Sequence, residues 1–367
     1  MNFVPVIFAK LKLQAQDYQA SLWAIGLRCK QGTTKREVEN VIRTRKVVRT
    51  WLLRGTLHFA ASIEVKWITE LIYPRLLRIA MLRDQHLGLS NETVERTKSV
   101  LFNALKGGKQ LTRSEVYKLF KSTNVPIENN LGYHMLYRAA WDGLICFGPN
   151  NGKEPSFVLL DEWIPEYRKY TGNVALKELA LRYFSSHGPA TMSDYVWWSG
   201  VKVSDARTVI ELASSALSTE QIEGRTYHYV KQARRLPSEE NQTYLLPAFD
   251  EYLLDYKDRQ VVLGGSQTKE TLKNNKSNFV HSNGVFLPTV VIDGRVSGVW
   301  KNKVGTKKVV VTVNLFRKLE AAQQSSIKEA ADSYGAFLEQ PVELKLDFRE
   351  EIDERSHAEV LLHGLEC

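Results

Sequence analysis

The chain has 367 residues, 43% hydrophobic and 25% charged, with a formal net charge of +9. Those fractions exclude a disordered chain or a coiled coil, no apolar run is long enough to span a bilayer, and the length suits two or three domains. The charge is uneven: residues 1–121 carry about 22 Lys and Arg against about 9 Asp and Glu, roughly +13, leaving the remainder roughly −4.

From the N-terminus, Leu11, Leu13 and Ala15 alternate with Lys12, Gln14 and Gln16. A period of two predicts an extended segment with both glutamines on one side, whereas on an α-helix they would diverge by about 160°. Asp17 then reads as the cap of a helix over about Tyr18–Arg28, with Tyr18, Leu22 and Ile25 inward. Thr34-Lys35-Arg36-Glu37 opens a second helix as a capping box. Thr50–Phe59 reads as strand, tight turn at Gly55, strand.

The box recurs as Thr112-Arg113-Ser114-Glu115 and Thr191-Met192-Ser193-Asp194, at spacings of roughly 78 and 79 residues. Around the second box the pattern predicts helices over Asn91–Lys106, Thr112–Ser122 and Asn130–Trp141. A strand pair, Leu144–Phe147 and Phe157–Leu160, follows. Around the third it predicts Ala175–Ser185, Met192–Ser199 and Val203–Ser215, then a hairpin near Ile222–Tyr229. Helix, helix, helix, hairpin is the order of a winged helix-turn-helix. Beyond it, Gly264–Ser282 is polar and basic and reads as a loop, and Asp293-Gly294 joins two β-branched runs as a hairpin. A strand at Val309–Val313, a helix at Leu319–Tyr334 and a last strand at Val342–Phe348 complete the pattern. The expected fold is α+β: three tandem winged helix-turn-helix units and a small C-terminal β-barrel-like domain. The expected domains are residues 1–88, 89–172, 173–240 and 241–367.

Cys29, Cys146 and Cys367 are odd in number and far apart, so neither a disulfide framework nor a zinc pattern is expected, and a cytoplasmic setting fits. Met1–Phe8 lacks the basic start and cleavage pattern of a signal peptide. A basic excess over winged-helix patterns points to nucleic acid. Arg43, Arg45, Lys46, Arg49 and Arg54, with His58, cluster on the first hairpin as candidate DNA contacts. Arg295, Lys301 and Lys303 flank the later Asp293-Gly294 hairpin. Trp197 and Trp198 suggest a base-stacking pair, although their place in a helix favours core. Asp250 and Glu251 read as structural, with Arg259 as partner.

Taken together, the Gln-Ala-Gln segment, Arg54-Gly55-Thr56-Leu57-His58, Trp197-Trp198-Ser199-Gly200, Leu246–Tyr252 and Asn283-Gly284-Val285-Phe286 resemble the AlkZ-type family of bacterial DNA glycosylases. The resemblance runs from about Leu13 to the last strand. It implies three winged helices with a C-terminal barrel, removal of alkylated bases (mainly N7-alkylpurines), and in some members crosslink unhooking. It makes Gln14 and Gln16 the catalytic pair of the Gln-x-Gln branch, and the later hairpin a minor-groove probe.

The residue chemistry agrees. Glutamine has no usable pKa and cannot be a strong general base. It can orient water and stabilise an oxocarbenium-like sugar. Such weak help suffices only for a leaving group that is already cationic. The expectation is therefore a monofunctional DNA glycosylase, monomeric, without metal or cofactor, acting on double-stranded DNA that carries alkylated bases. The alternative is a non-catalytic winged-helix DNA-binding protein or transcription regulator.

Overall fold

A computed structural model describes residues 12–231, 242–263 and 287–348. They divide into two compact units. The first comprises Met1–Gln16, Glu39–Arg234 and Asp255–Lys257; the second comprises Asp17–Val38, Arg235–Leu254 and Asp258–Cys367. The loop expected over residues 264–282 and the Asn283–Phe286 motif lie outside the described residues.

In the first unit, the alternating segment forms a short strand, β1 (Lys12–Gln14). Strands β2 (Val47–Trp51) and β3 (Leu57–Ala61) make the first hairpin, and β1 pairs with β3 antiparallel. Their connection is a 3-10 turn over Leu53–Gly55 in which Arg54 (φ 61°) and Gly55 (φ 76°) both take positive φ. A Cβ at position 55 would come within 2.5 Å of the Trp141 ring, so close approach as well as backbone conformation demands glycine there.

A helix over Ser62–His86 follows, 25 residues long with Pro74 inside it. Sequence patterning passes over it for two reasons. Its first turns are buried on several faces at Glu64–Thr69, so they show no single apolar stripe. An internal proline, moreover, ordinarily marks a helix end. Only Ile72, Leu76 and Ala80 resume an i, i+4 spacing.

Helices over Asn91–Leu105, Arg113–Ser122 and Leu131–Trp141 come next. With them are β4 (Leu111–Thr112), β5 (Ile145–Phe147) and β6 (Ser156–Leu159). The Thr112 hydroxyl accepts from the Glu115 amide while the Glu115 carboxylate accepts from the Thr112 amide, closing the predicted capping box. All six strands join one sheet in the order β1-β3-β2-β5-β6-β4. The seam is the Arg49–Phe147 pair of β2 and β5, with Trp51 and Phe147 rings 4.8 Å apart. The hairpins of the first two repeats thus share a single sheet.

The third repeat supplies helices over Gly172–His187, Met192–Ser199 and Val203–Leu212. Its strands β7 (Ala190–Thr191), β8 (Leu217–Ile222) and β9 (Arg225–Val230) form their own sheet in the order β7-β9-β8. Thr191 and Asp194 close the third box. Tyr183, Phe184, Tyr195 and Trp198 fill the core beneath.

The second unit holds the strands β10 (Thr243–Leu246), β11 (Thr289–Ile292), β12 (Arg295–Val304), β13 (Val309–Leu315) and β14 (Val342–Phe348). They lie in the line β10-β11-β12-β13-β14. Among the described residues this is an open sheet with β10 and β14 at its edges, where a barrel-like domain was expected. Asp293 (φ 49°) and Gly294 (φ 77°) make the two-residue β11–β12 turn. Strands β13 and β14 are parallel, so their connection must cross over, and the helix Ala321–Leu338 lies in it.

The helix Tyr18–Gly26, capped by Asp17 as predicted, belongs to this unit. Its Trp23 ring packs 5.0 Å from both Tyr334 and Phe337 and donates to the Leu245 carbonyl at 2.8 Å. Asp250 accepts a bidentate pair of bonds from Arg28 (2.8 and 2.7 Å) where Arg259 was expected, and Arg259 donates to the Leu253 carbonyl. The Asp250 partner comes from a turn 222 positions away in sequence.

Candidate active site

On β1 the side chains of Lys12 and Gln14 share the face opposite Leu13, because successive residues of a strand point to opposite sides. His58 of β3 stands directly across from Gln14, and Thr50 of β2 across from His58. Directly opposed residues of an antiparallel pair put their Cβ atoms about 5 Å apart on the same face. A lysine, a glutamine, a histidine and a threonine therefore meet on one sheet face, and all four are buried.

Depth separates the two glutamines. Gln14 is 8% exposed, whereas Gln16, just past the strand end, is exposed. The Gln16 Oε1 accepts from the Leu57 amide at 3.1 Å, which fixes the carbonyl while leaving it a second lone pair. The Ala15 amide donates to the Leu57 carbonyl at 2.8 Å, and Arg49 donates to the Ala15 carbonyl through Nε (3.1 Å) and Nη2 (2.8 Å). The Gln-Ala-Gln backbone is thus clamped from both sides. Arg49, expected at a phosphate, holds this segment, with its guanidinium 4.8 Å from the Phe147 ring.

Beneath the glutamines lies a buried charge cluster that sequence reading did not find. Lys12 Nζ is 3.7 Å from Asp255 Oδ1, with the two side chains 1% and 0% exposed. Lys12 also stands over the Trp198 ring at 5.1 Å, and Asp255 meets His187 Nε2 at 3.0 Å. Burial would raise the Asp255 pKa, but the Lys12 charge and the His187 hydrogen bond outweigh it, and the carboxyl is held well below the usual carboxylate range. The one signal in sequence was a lysine on the glutamine side of the alternation; nothing local pointed to Asp255.

His58 is fully buried and stands across from Gln14, so its own ring is not a surface group. Its Nδ1 lies 2.7 Å from the Thr56 carbonyl, which can only accept, so Nδ1 carries the proton. Burial, reinforced by the charges of Lys12 and Arg54, pushes its pKa well below the ordinary histidine value. The ring is neutral and Nε2 is a lone-pair acceptor. Both Gln14 Oε1 and His58 Nε2 are buried without a hydrogen-bond partner among the described residues.

Of the other candidates in this unit, Arg43, Arg45 and Lys46 are exposed, Arg43 bonding Asn40 and Arg45 lying 4.1 Å from the Trp163 ring. Arg54 is half-buried and donates to the Trp197 carbonyl at 3.1 Å. The tryptophan pair splits: Trp198 is core, as expected, whereas Trp197 is 42% exposed. In the second unit, Arg295, Lys301 and Lys303 are exposed on β12, while Trp300 is buried and donates to the Leu246 carbonyl.

The site therefore presents neutral amides on an extended strand edge, backed by buried charge. The family model for DNA glycosylase AlkZ-like proteins matches residues 11–337, and the chain belongs to that family of DNA glycosylases. Among its relatives is the interstrand DNA cross-link repair glycosylase of Streptomyces sahachiroi, 25% identical over 319 residues, covering 80% of this chain and 81% of the relative. The solved Streptomyces sahachiroi DNA glycosylase AlkZ has a similar fold, with a TM-score of 0.72 at 24% identity over 94% of each chain. No helix among the described residues is long and apolar enough to cross a membrane.

The Arg49 clamp makes a testable distinction. Arg49→Met should slow single-turnover base excision by roughly tenfold, because it loosens the glutamine backbone. The salt dependence of duplex binding should stay as in the wild type. A salt slope reduced by about one, with excision unchanged, would return Arg49 to a phosphate contact.

Proposed function

We propose that the protein hydrolyses the N-glycosidic bond of cationic N7-alkylpurines in duplex DNA, bulky adducts and interstrand crosslinks included, with Gln14 and Gln16 as the catalytic pair. The observation that carries this reading is the Gln16 carbonyl, exposed at the strand end and held by the Leu57 amide. A carbonyl oxygen fixed in that way turns its negative end toward the developing sugar cation, while the Gln14 carbonyl accepts a hydrogen bond from the attacking water. It cannot take a proton at neutral pH. The purine must therefore leave unaided, and N7 alkylation makes that possible because the departing base is then neutral. The crosslink activity named for the Streptomyces sahachiroi relative supports extending the substrate class to bulky lesions.

The three capped repeats, each with helices and a strand pair, support the tandem winged-helix reading and its division at about residues 88, 172 and 240. Exposed Arg43, Arg45 and Lys46, together with Arg54, contact phosphates of a monomer's duplex, and Arg295, Lys301 and Lys303 approach the DNA from the β11–β12 hairpin. The setting is the cytoplasm. The test is excision from duplexes carrying 7-methylguanine, a bulkier N7 adduct, an N7 crosslink or uracil. The cationic lesions should be released and uracil left in place. Uracil excision as fast as that of 7-methylguanine would sink the reading, since a neutral glycosidic nitrogen demands acid help that two amides cannot give.

A further inference from the structure

We propose that Gln14 Oε1 and His58 Nε2 together bind the two hydrogens of one water, and that His58 takes its proton as that water adds to the sugar. The proposal rests on the glutamine reading above and deepens it by assigning the proton acceptor that two amides cannot supply.

The geometry leads there directly. Gln14 and His58 are opposed residues of β1 and β3, so their side chains are neighbours on one face. The Thr56 carbonyl consumes the only N–H of a neutral imidazole, leaving Nε2 as an acceptor. Two buried acceptors side by side, neither bonded among the described residues, are a costly arrangement unless a donor lies between them. Water has two donors. With both hydrogens committed to Oε1 and Nε2, its oxygen lone pairs are what remains to face C1′, which is the orientation a nucleophile needs.

The step balances. The C1′–N bond breaks with its electron pair passing to the cationic purine, which leaves neutral. A lone pair of the water oxygen forms the new bond to C1′, and one water proton moves to His58 Nε2, from which it returns to solvent. The charged groups around the ring are Lys12 on β1, Arg54 in the 3-10 turn and Asp255. Lys12 and Arg54 keep the resting ring neutral, whereas the Asp255 carboxylate favours the transient imidazolium. The imidazole is a weak base, yet water adding to an oxocarbenium ion becomes strongly acidic and needs only a placed lone pair.

Single-turnover excision of 7-methylguanine should be measured for wild type, His58→Gln and Gln14→Ala between roughly pH 4 and pH 8. The wild-type rate should fall on the acid side, below the ordinary histidine pKa, as Nε2 becomes protonated. His58→Gln should be slower by about 10²-fold and lose that acid-side fall. A His58→Gln enzyme with wild-type rate and pH profile, alongside an inactive Gln14→Ala, would overturn the proposal and leave the glutamine reading standing. An active Gln14→Ala would overturn the glutamine reading itself. Independent of any variant's folding, the 15N spectrum of wild-type His58 at neutral pH should show the Nδ1–H tautomer with Nε2 unprotonated. The opposite tautomer, or a Gln14 amide donating straight to Nε2 in a crystal structure, would also overturn it.

Discussion

Gln16→Ala should lower single-turnover excision of 7-methylguanine by about 10²-fold while leaving thermal stability close to wild type. Gln16 is exposed, and its Oε1 makes one bond to the Leu57 amide, so truncation removes little packing. In the mechanism proposed above it also removes the oriented dipole from the place where positive charge develops, a loss that would be felt in the transition state rather than in binding. Affinity for the lesion duplex should therefore change far less than the rate. Gln16→Glu is the informative companion. A carboxylate of the same length can still accept from Leu57 and turn negative charge toward the sugar cation, so this variant should keep most of the activity. Equal inactivity of Gln16→Glu and Gln16→Ala would show that the amide N–H, not the carbonyl, matters. Gln14→Ala should be comparably slow but also less stable, because Gln14 is buried on the face it shares with Lys12.

The second large effect lies under the site. Asp255→Ala should destabilise the protein by about 3–5 kcal/mol at neutral pH, as expected when one member of a fully buried ion pair is deleted. The Lys12 ammonium, 1% exposed, would lose the carboxylate that faces it at 3.7 Å. Replacing both members, as in Lys12→Met with Asp255→Leu, should recover much of the loss, since apolar groups of similar volume avoid the desolvation cost. Acid should expose the same interaction. The Asp255 pKa is depressed in the folded state, so its stabilisation is complete above the unfolded value, about 4, and disappears as pH falls through the lower folded value. The stability gap between wild type and Asp255→Asn should therefore be constant from neutral pH down to about pH 4 and narrow below it. Urea unfolding across that range measures it, and a gap that did not shrink in acid would mean that Asp255 acts through packing alone.

Much of the local structure was legible because it depends on residues a few positions apart. Three capping boxes, the Asp17 cap, the Asp293-Gly294 turn and the alternation around Gln14 are contacts over one to four residues, and each occurs where the pattern put it. The Ser62–His86 helix was missed for a physical reason, since a segment buried on several sides carries no stripe for periodicity to detect.

For the glutamines, period two gave the side of the strand but not the depth. Burial is set by whatever packs above a residue, and here that includes chain segments far away in sequence. It takes the folded chain to show that Gln14 sinks against His58 while Gln16 stays at the surface, that Arg49 grips a backbone, and that Lys12 meets Asp255. A desolvated charge requires a partner, and sequence states the requirement without saying from where along the chain the partner comes. Local patterning therefore sets the helices' starts, the turns and the chemistry on offer, whereas the joining of two hairpins into one sheet settles which of those groups face each other.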